Sequence, residues 1–166
     1  MTSHDPGKSA RQIEVTVISQ YPSAPVDESL LAAAVRSVLS GEGVHRATIN
    51  VAVIDDAEIQ RLNRQFLAHD YATDVLSFLM EAGDDGMEGE IAVSAETATR
   101  QAARFGWRSA DELLLYVIHG ALHLAGFEDG TPQERAEMRG REAHWLRRFG
   151  VACREDRLAL TSNGGA

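Results

Sequence analysis

Residues 116–129 read Y-V-I-H-G-A-L-H-L-A-G-F-E-D, and three polar side chains in this apolar run decide both the element and its chemistry. On a helix, positions four apart point within about 40° of each other, so His119 and His123 leave one face, one turn apart. Gly126 is placed to stop the helix, because a residue without Cβ enters the left-handed region at little cost. The chain can then double back and aim Asp129 at the two rings. Two neutral imidazoles and one carboxylate are a recognised set for a catalytic zinc whose fourth position stays open to water. His119, His123 and Asp129 are therefore the candidate ligands of one divalent ion, with zinc the first expectation.

Histidine pairs at this spacing also occur on amphipathic helices without any function, as satisfied core groups. Here Leu122, Leu124 and Phe127 flank the pair, so buried imidazoles need polar partners, and an ion supplies them. Gly120 sits in the helix interior at a cost of up to ~1 kcal/mol relative to alanine. Its expected use is to let a substrate or another backbone approach the ion. The zinc-protease pattern H-E-x-x-H places its general base where this chain has Gly120, which argues against proteolysis.

Outward from this run, residues 109–125 form an expected central helix, apolar almost all round and so buried. Ser109 and Glu112 are read as its capping box. Before it, residues 13–19 alternate as a strand, and a helix capped by Asp27 or Ser29 carries Leu31, Val35 and Val38 toward Gly41 or Gly43. A second strand spans 47–54, and a helix capped at Asp55 or Asp56 follows through Ile59, Leu62 and Phe66. Runs 74–80 and 90–95 read as a hairpin joined by an acidic loop over 81–89. Helices are expected over 96–105 and, with Pro132 in its first turn, over 132–149. This order predicts an α+β fold: a single mixed β-sheet of about four strands covered by helices, with the metal site on the central buried helix. One domain over 13–152 is expected, with flexible tails at 1–12 and 154–166.

The 166 residues are 44% apolar and 25% charged, as in globular proteins. No apolar run is long enough to span a membrane, and the polar first residues do not read as a signal peptide. Cys153 is the only cysteine, so no internal disulfide forms, and a reducing, cytoplasmic setting is expected. The net charge of −9 gives no general attraction for nucleic acid, DNA included, so any RNA contact must be local. Arg100, Arg104 and Arg108 recur every fourth residue, with Gly106 expected to break the helix between them. Arg135, Arg139, Arg147 and Arg148 read as a solvated face paired with Glu134, Glu137 and Glu142. His144 and Cys153 are weak extra ligand candidates, and His4, His45 and His69 read as surface residues.

The run H-G-A-L-H-L-A-G-F-E-D resembles the signature H-G-x-L-H-L-x-G-[YF]-D-H of the YbeY family. Leu62, Asn63, Phe66, Asp70 and the run T-D-V-L-S-F at 73–78 are similar to a second family block, L-N-x-x-[YF]-R-x-x-D-x-P-T-D-V-L-S-F. Gly89, Glu90 and Ile91 stand where the family has G-D-I, and the blocks keep the family order over roughly residues 50–150. The resemblance implies a metal-dependent, single-strand-specific endoribonuclease in ribosomal RNA maturation and ribosome quality control. Its implied partners are ribosomal RNA, or the small ribosomal subunit and its associated proteins. Asp129 and Glu128 replace the family's histidine and the aspartate before it; Leu67 replaces an arginine and Ala72 a proline. An aspartate ligand makes the ion less positive and favours oxygen-preferring metals. In the family the arginine is thought to assist the RNA phosphate. Its absence frames the alternative, a catalytically weakened metal-binding factor associated with the ribosome, unless Arg64 one turn earlier compensates.

Overall fold

The structure is a computed structural model that describes residues 12–22 and 26–152. Its elements are β1 (Gln12–Ser19), α1 (Glu28–Gly41), β2 (Arg46–Ile54), α2 (Asp56–Leu67), β3 (Val75–Gly83), β4 (Gly86–Ser94), α3 (Ala95–Phe105), α4 (Ser109–Leu124) and α5 (Pro132–Arg148). The strands form one open mixed sheet in the order β1-β2-β4-β3. β1 pairs parallel to β2 and β2 parallel to β4, while β3 returns antiparallel on the edge. The fold is the expected α+β arrangement.

Period-two alternation sorts the sheet into two faces. Ala47, Ile49, Val51 and Val53 of β2 point to one face and are buried with Leu31, Val35, Val38 and Leu39 of α1 and the apolar side of α4. Ile54, Leu76 and Ala92 point to the other face, where Ile59 of α2 completes a smaller cluster. Helix α4 packs against α1, α3, α5, β3 and β4 at once. From Asp111 to Leu124 every residue is buried except His119 and His123. Gly120 faces the sheet: a Cβ there would stand 2.9 Å from Ile91 Cγ2. It therefore sets how closely helix and sheet approach, rather than opening room beside the two rings.

Three local expectations are corrected. The hairpin has no loop over 81–89; pairing continues through Glu81↔Glu88 to Gly83↔Gly86, with a bulge between Leu79 and Glu81 and a tight turn at Asp84 and Asp85. Acidic side chains do not break a strand on an exposed edge, where they also discourage further pairing. Helix α4 has no side-chain cap at Arg108, and Glu112 turns inward to accept a hydrogen bond from Trp107 Nε1 at 2.7 Å. A capping box instead opens α5, where Thr131 and Glu134 satisfy each other's backbone N–H groups. Gln12, expected in the first tail, already belongs to β1. The rest of both expected tails, with His4 and Cys153, lies outside the described residues. No helix among the described residues is long and apolar enough to cross a membrane.

The start of α2 is tied to α3 by one carboxylate. Asp56 accepts from Ser94 Oγ at 2.6 Å, Thr97 Oγ1 at 2.7 Å and Arg100 Nη1 at 2.7 Å. Burial alone raises its pKa, but the bonds from Ser94, Arg100 and Thr97 outweigh it and hold the group below the ordinary value. The arginine stripe is thereby broken up: Arg100 serves Asp56, Arg108 pairs with Asp111, and Gly106 ends α3 with φ +70°. Asp56→Ala is expected to cost about 1.5–3 kcal/mol of stability at neutral pH. A depressed carboxylate pKa contributes fully above about pH 4 and loses its effect as pH falls through the folded-state value. Urea denaturation should therefore show the wild-type advantage at pH 7 shrinking toward pH 2.

Candidate metal centre

The rings of His119 and His123 leave the side of α4 that borders a cleft, and they are the partly exposed residues of its otherwise buried stretch from Asp111 to Leu124. Helix α4 ends in a Schellman turn: Gly126, at φ +106°, donates to the His123 carbonyl, and Phe127 donates to the Leu122 carbonyl. The reversal carries Asp129 back over the last turn. There the next helix pins the chain, with Glu134 Oε2 accepting from the Gly130 and Thr131 N–H groups at 2.9 and 3.3 Å. Arg135 Nη1 adds contacts to the carbonyls of Asp129 and Gly130 at 3.4 and 3.3 Å. Asp129 is thus positioned by the backbone on both sides of it.

The three donor atoms converge. His119 Nε2 lies 3.0 Å from His123 Nε2, which lies 3.2 Å from Asp129 Oδ2, and His119 Nε2 is 3.6 Å from the same oxygen. Donors held about 2.0–2.2 Å from one zinc ion in tetrahedral geometry stand about 3.3–3.6 Å apart. The spacing suits a single ion, and the cluster is able to bind a metal.

The fourth participant is buried. Glu142 of α5, 1% exposed, accepts from His119 Nδ1 at 2.6 Å. That bond assigns the ring proton to Nδ1 and leaves the Nε2 lone pair facing Asp129 and His123. The other carboxylate oxygen of Glu142 is buried without a hydrogen-bond partner among the described residues. A buried anion whose polar partner is an imidazole is best compensated by positive charge delivered through that ring. The donor set therefore fits a divalent cation.

The titration behaviour reflects the same charges. Burial works against a protonated His119, yet the Glu142 bond and charge, with Asp74 and Asp129, carry its pKa above the ordinary value. Burial, and then the neighbouring His119, push His123 below it despite Asp129. Two bases 3.0 Å apart do not both take a proton readily, so their affinities separate.

His119, His123 and Asp129 line a cleft of about 440 Å³ with Asn63, Leu67, His69, Tyr71, Thr73, Asp74, Ser77 and Glu128. Its far wall is the 68–74 loop between α2 and β3. Asp74 Oδ1 accepts from the Val75 N–H at 2.8 Å, so this residue buttresses the loop while its charge reaches His119.

The YbeY family model, described as endoribonuclease YbeY, matches residues 17–150. The chain belongs to the YbeY family. A YbeY endoribonuclease from Chlorobaculum tepidum is 42% identical over 124 residues, covering 75% of this chain and 90% of that one. One from Rhodopirellula baltica is also 42% identical, over 123 residues, and this chain spans 63% of that relative's length. The solution structure of TM1509 from Thermotoga maritima superposes with a TM-score of 0.55 at 28% identity, covering 84% of this chain and 92% of that one. As a YbeY protein the chain is a hydrolase of the endoribonuclease class, acting on RNA.

Several site residues escaped sequence reasoning. Glu142 was expected on a solvated charged face, yet it lies inside against His119; only its position one turn from the buried Met138 and Trp145 hinted at this. His69, expected at the surface, is half-buried in the cleft wall. His144 stacks edge-on against Trp145 and stays outside the cluster. At the YbeY arginine position Leu67 lines the cleft, while Arg64 points elsewhere, 3.6 Å from Asp70. Replacing Glu142 by Gln removes the anionic acceptor behind His119 at nearly constant shape. Competition against a fluorescent chelator should then show metal affinity reduced about 10- to 100-fold, with an unchanged circular dichroism spectrum.

Proposed function

We propose that residues 13–152 act as a single-domain, zinc-dependent endoribonuclease that cuts single-stranded RNA in ribosomal RNA maturation and ribosome quality control, in the cytoplasm. The proposed ligands are His119, His123 and Asp129. The observation that carries this reading is the convergence of their three donor atoms within one cleft of a YbeY-family chain. The proposed partners are ribosomal RNA and the small ribosomal subunit with its associated proteins.

When bound, the ion supplies Lewis acidity to a phosphoryl oxygen and a water of lowered pKa. The protein's part is positional. Glu142 holds the His119 tautomer, and the turn at Gly126 with the Glu134 and Arg135 contacts holds Asp129. Glu128 and Asp74 line the same cleft and are the carboxylates we propose as its proton acceptors. Thr73 and Ser77 offer hydroxyls there. With no Lys or Arg among the residues lining the cleft, hold on the phosphate falls to the ion.

Elemental analysis of the purified protein is expected to give one zinc per chain, lost in His119→Ala and Asp129→Ala. The zinc-loaded protein should cut single-stranded but not duplex RNA. The enzymatic reading is abandoned if that protein leaves RNA intact and an Asp129→His variant is equally inert.

Restoring a cation at the cleft wall gives a second check. Leu67→Arg should tighten RNA binding at low salt and steepen the dependence of log K on log salt by about 0.7, the increment for one added single-strand phosphate contact. An unchanged slope would mean that this position does not reach the RNA backbone.

A further inference from the structure

We propose that the rings of His69 and Tyr71 form a stacking shelf for one nucleobase of single-stranded RNA, beside the three-donor cluster. This rests on the endoribonuclease reading and names the contact by which the cleft holds its substrate. The two rings lie nearly parallel, 14° between planes and 5.6 Å between centroids, and both line the cleft that contains His119, His123 and Asp129. Tyr71 is 42% exposed.

The loop that carries them is held rigidly. Ala68 adopts φ +57°, a left-handed conformation that costs a residue with a Cβ, and it persists because its surroundings over-determine it. The carbonyl of Asn63 accepts from the N–H groups of both Ala68 and His69, and its Nδ2 donates to the Tyr71 carbonyl at 3.0 Å. Asn63 itself is buried, 1% exposed. Tyr71 Oη, 3.3 Å from His69 Nδ1, joins the two rings. An aromatic surface presented this way loses little freedom on binding, which is the condition for a pre-organised contact.

Charge points the same way. The cleft is lined by Asp74, Glu128 and Asp129 and by no Lys or Arg, so the protein itself attracts no polyanion there. The chain as a whole carries −9. Contacts to the uncharged faces of bases avoid that repulsion. Every base has such a face, so the shelf grips without reading sequence, and it selects single strands because paired bases are already stacked.

The test uses the full-length, zinc-loaded chain and a fluorescein-labelled oligouridylate, with stopped-flow anisotropy read before turnover and steady-state cleavage read after it. Tyr71→Leu should weaken binding and raise KM about 5- to 150-fold, the range for one base–aromatic stack. Its kcat should stay within about twofold and its zinc content should not change. Tyr71→Phe and Tyr71→Trp should restore binding, and His69→Ala should weaken it less than Tyr71→Leu. An oligonucleotide with a single abasic position should lose affinity for the wild-type protein but no further affinity for Tyr71→Leu. If Tyr71→Leu and His69→Ala bind like the wild type while RNA is still cut, the shelf is wrong and the nuclease reading stands. If the wild-type protein neither binds nor cuts RNA, both fall.

Discussion

Helix α4 is enclosed by α1, α3, α5 and two strands, and the remaining structure depends on that enclosure. In an otherwise apolar, buried helix the two imidazoles stand where the enclosure gives way to a cleft. His119 and His123 mark that opening. Their positions are fixed by the core behind them: Gly120 allows contact with Ile91, and Tyr116, Val117 and Ile118 are almost completely buried. Because close-packed interiors do not shift easily, the two rings are held as firmly as the core itself.

Around them, the site is assembled from ordinary backbone chemistry. The Schellman turn at Gly126 and the capping box at Thr131 are devices for satisfying helix ends, and together they leave Asp129 a short, fixed segment from which to face the rings. Glu142 is different, since a buried carboxylate has a desolvation cost that the fold does not require. Its bond to His119 makes sense if positive charge is to be held on the far side of that ring. The opposed titration shifts have different causes: burial is outweighed at His119 by Glu142, Asp74 and Asp129, whereas at His123 burial and the neighbouring His119 prevail over Asp129.

The chain departs from its family where substrate would be held. Leu67 stands where the family signature has an arginine, the same cleft offers the stacked rings of His69 and Tyr71, and the proposed ligand set includes a carboxylate, Asp129. In the proposed reading, those residues place the hold on RNA in short-range contact rather than long-range charge, in keeping with an acidic protein. Among the residues that line the cleft there is no Lys or Arg, so the proposed ion would be its principal positive charge.

How much of this was legible depended on whether a residue's role is local. The i,i+4 histidines, the glycine stop, the alternating strands and the hydrophobic stripe of α1 are written in short periods, and the resemblance to the family extended them to a fold and an activity. Acidic residues over 81–89 suggest a loop, although an edge strand tolerates them and the pairing runs on to Gly83 and Gly86. The sequence reads Glu112 as half of a capping box and Glu142 as part of a solvated face, because a charged residue carries no mark of the neighbour that will bury it. Glu112 was claimed by Trp107 and Glu142 by His119, which lies 23 residues away in sequence. The sequence by itself determined the helix, its stop and the three donors, because each is set by geometry within one or two turns. Only the tertiary structure decided which carboxylate stands behind His119 and which rings share its cleft, because those arrangements arise when separate elements pack.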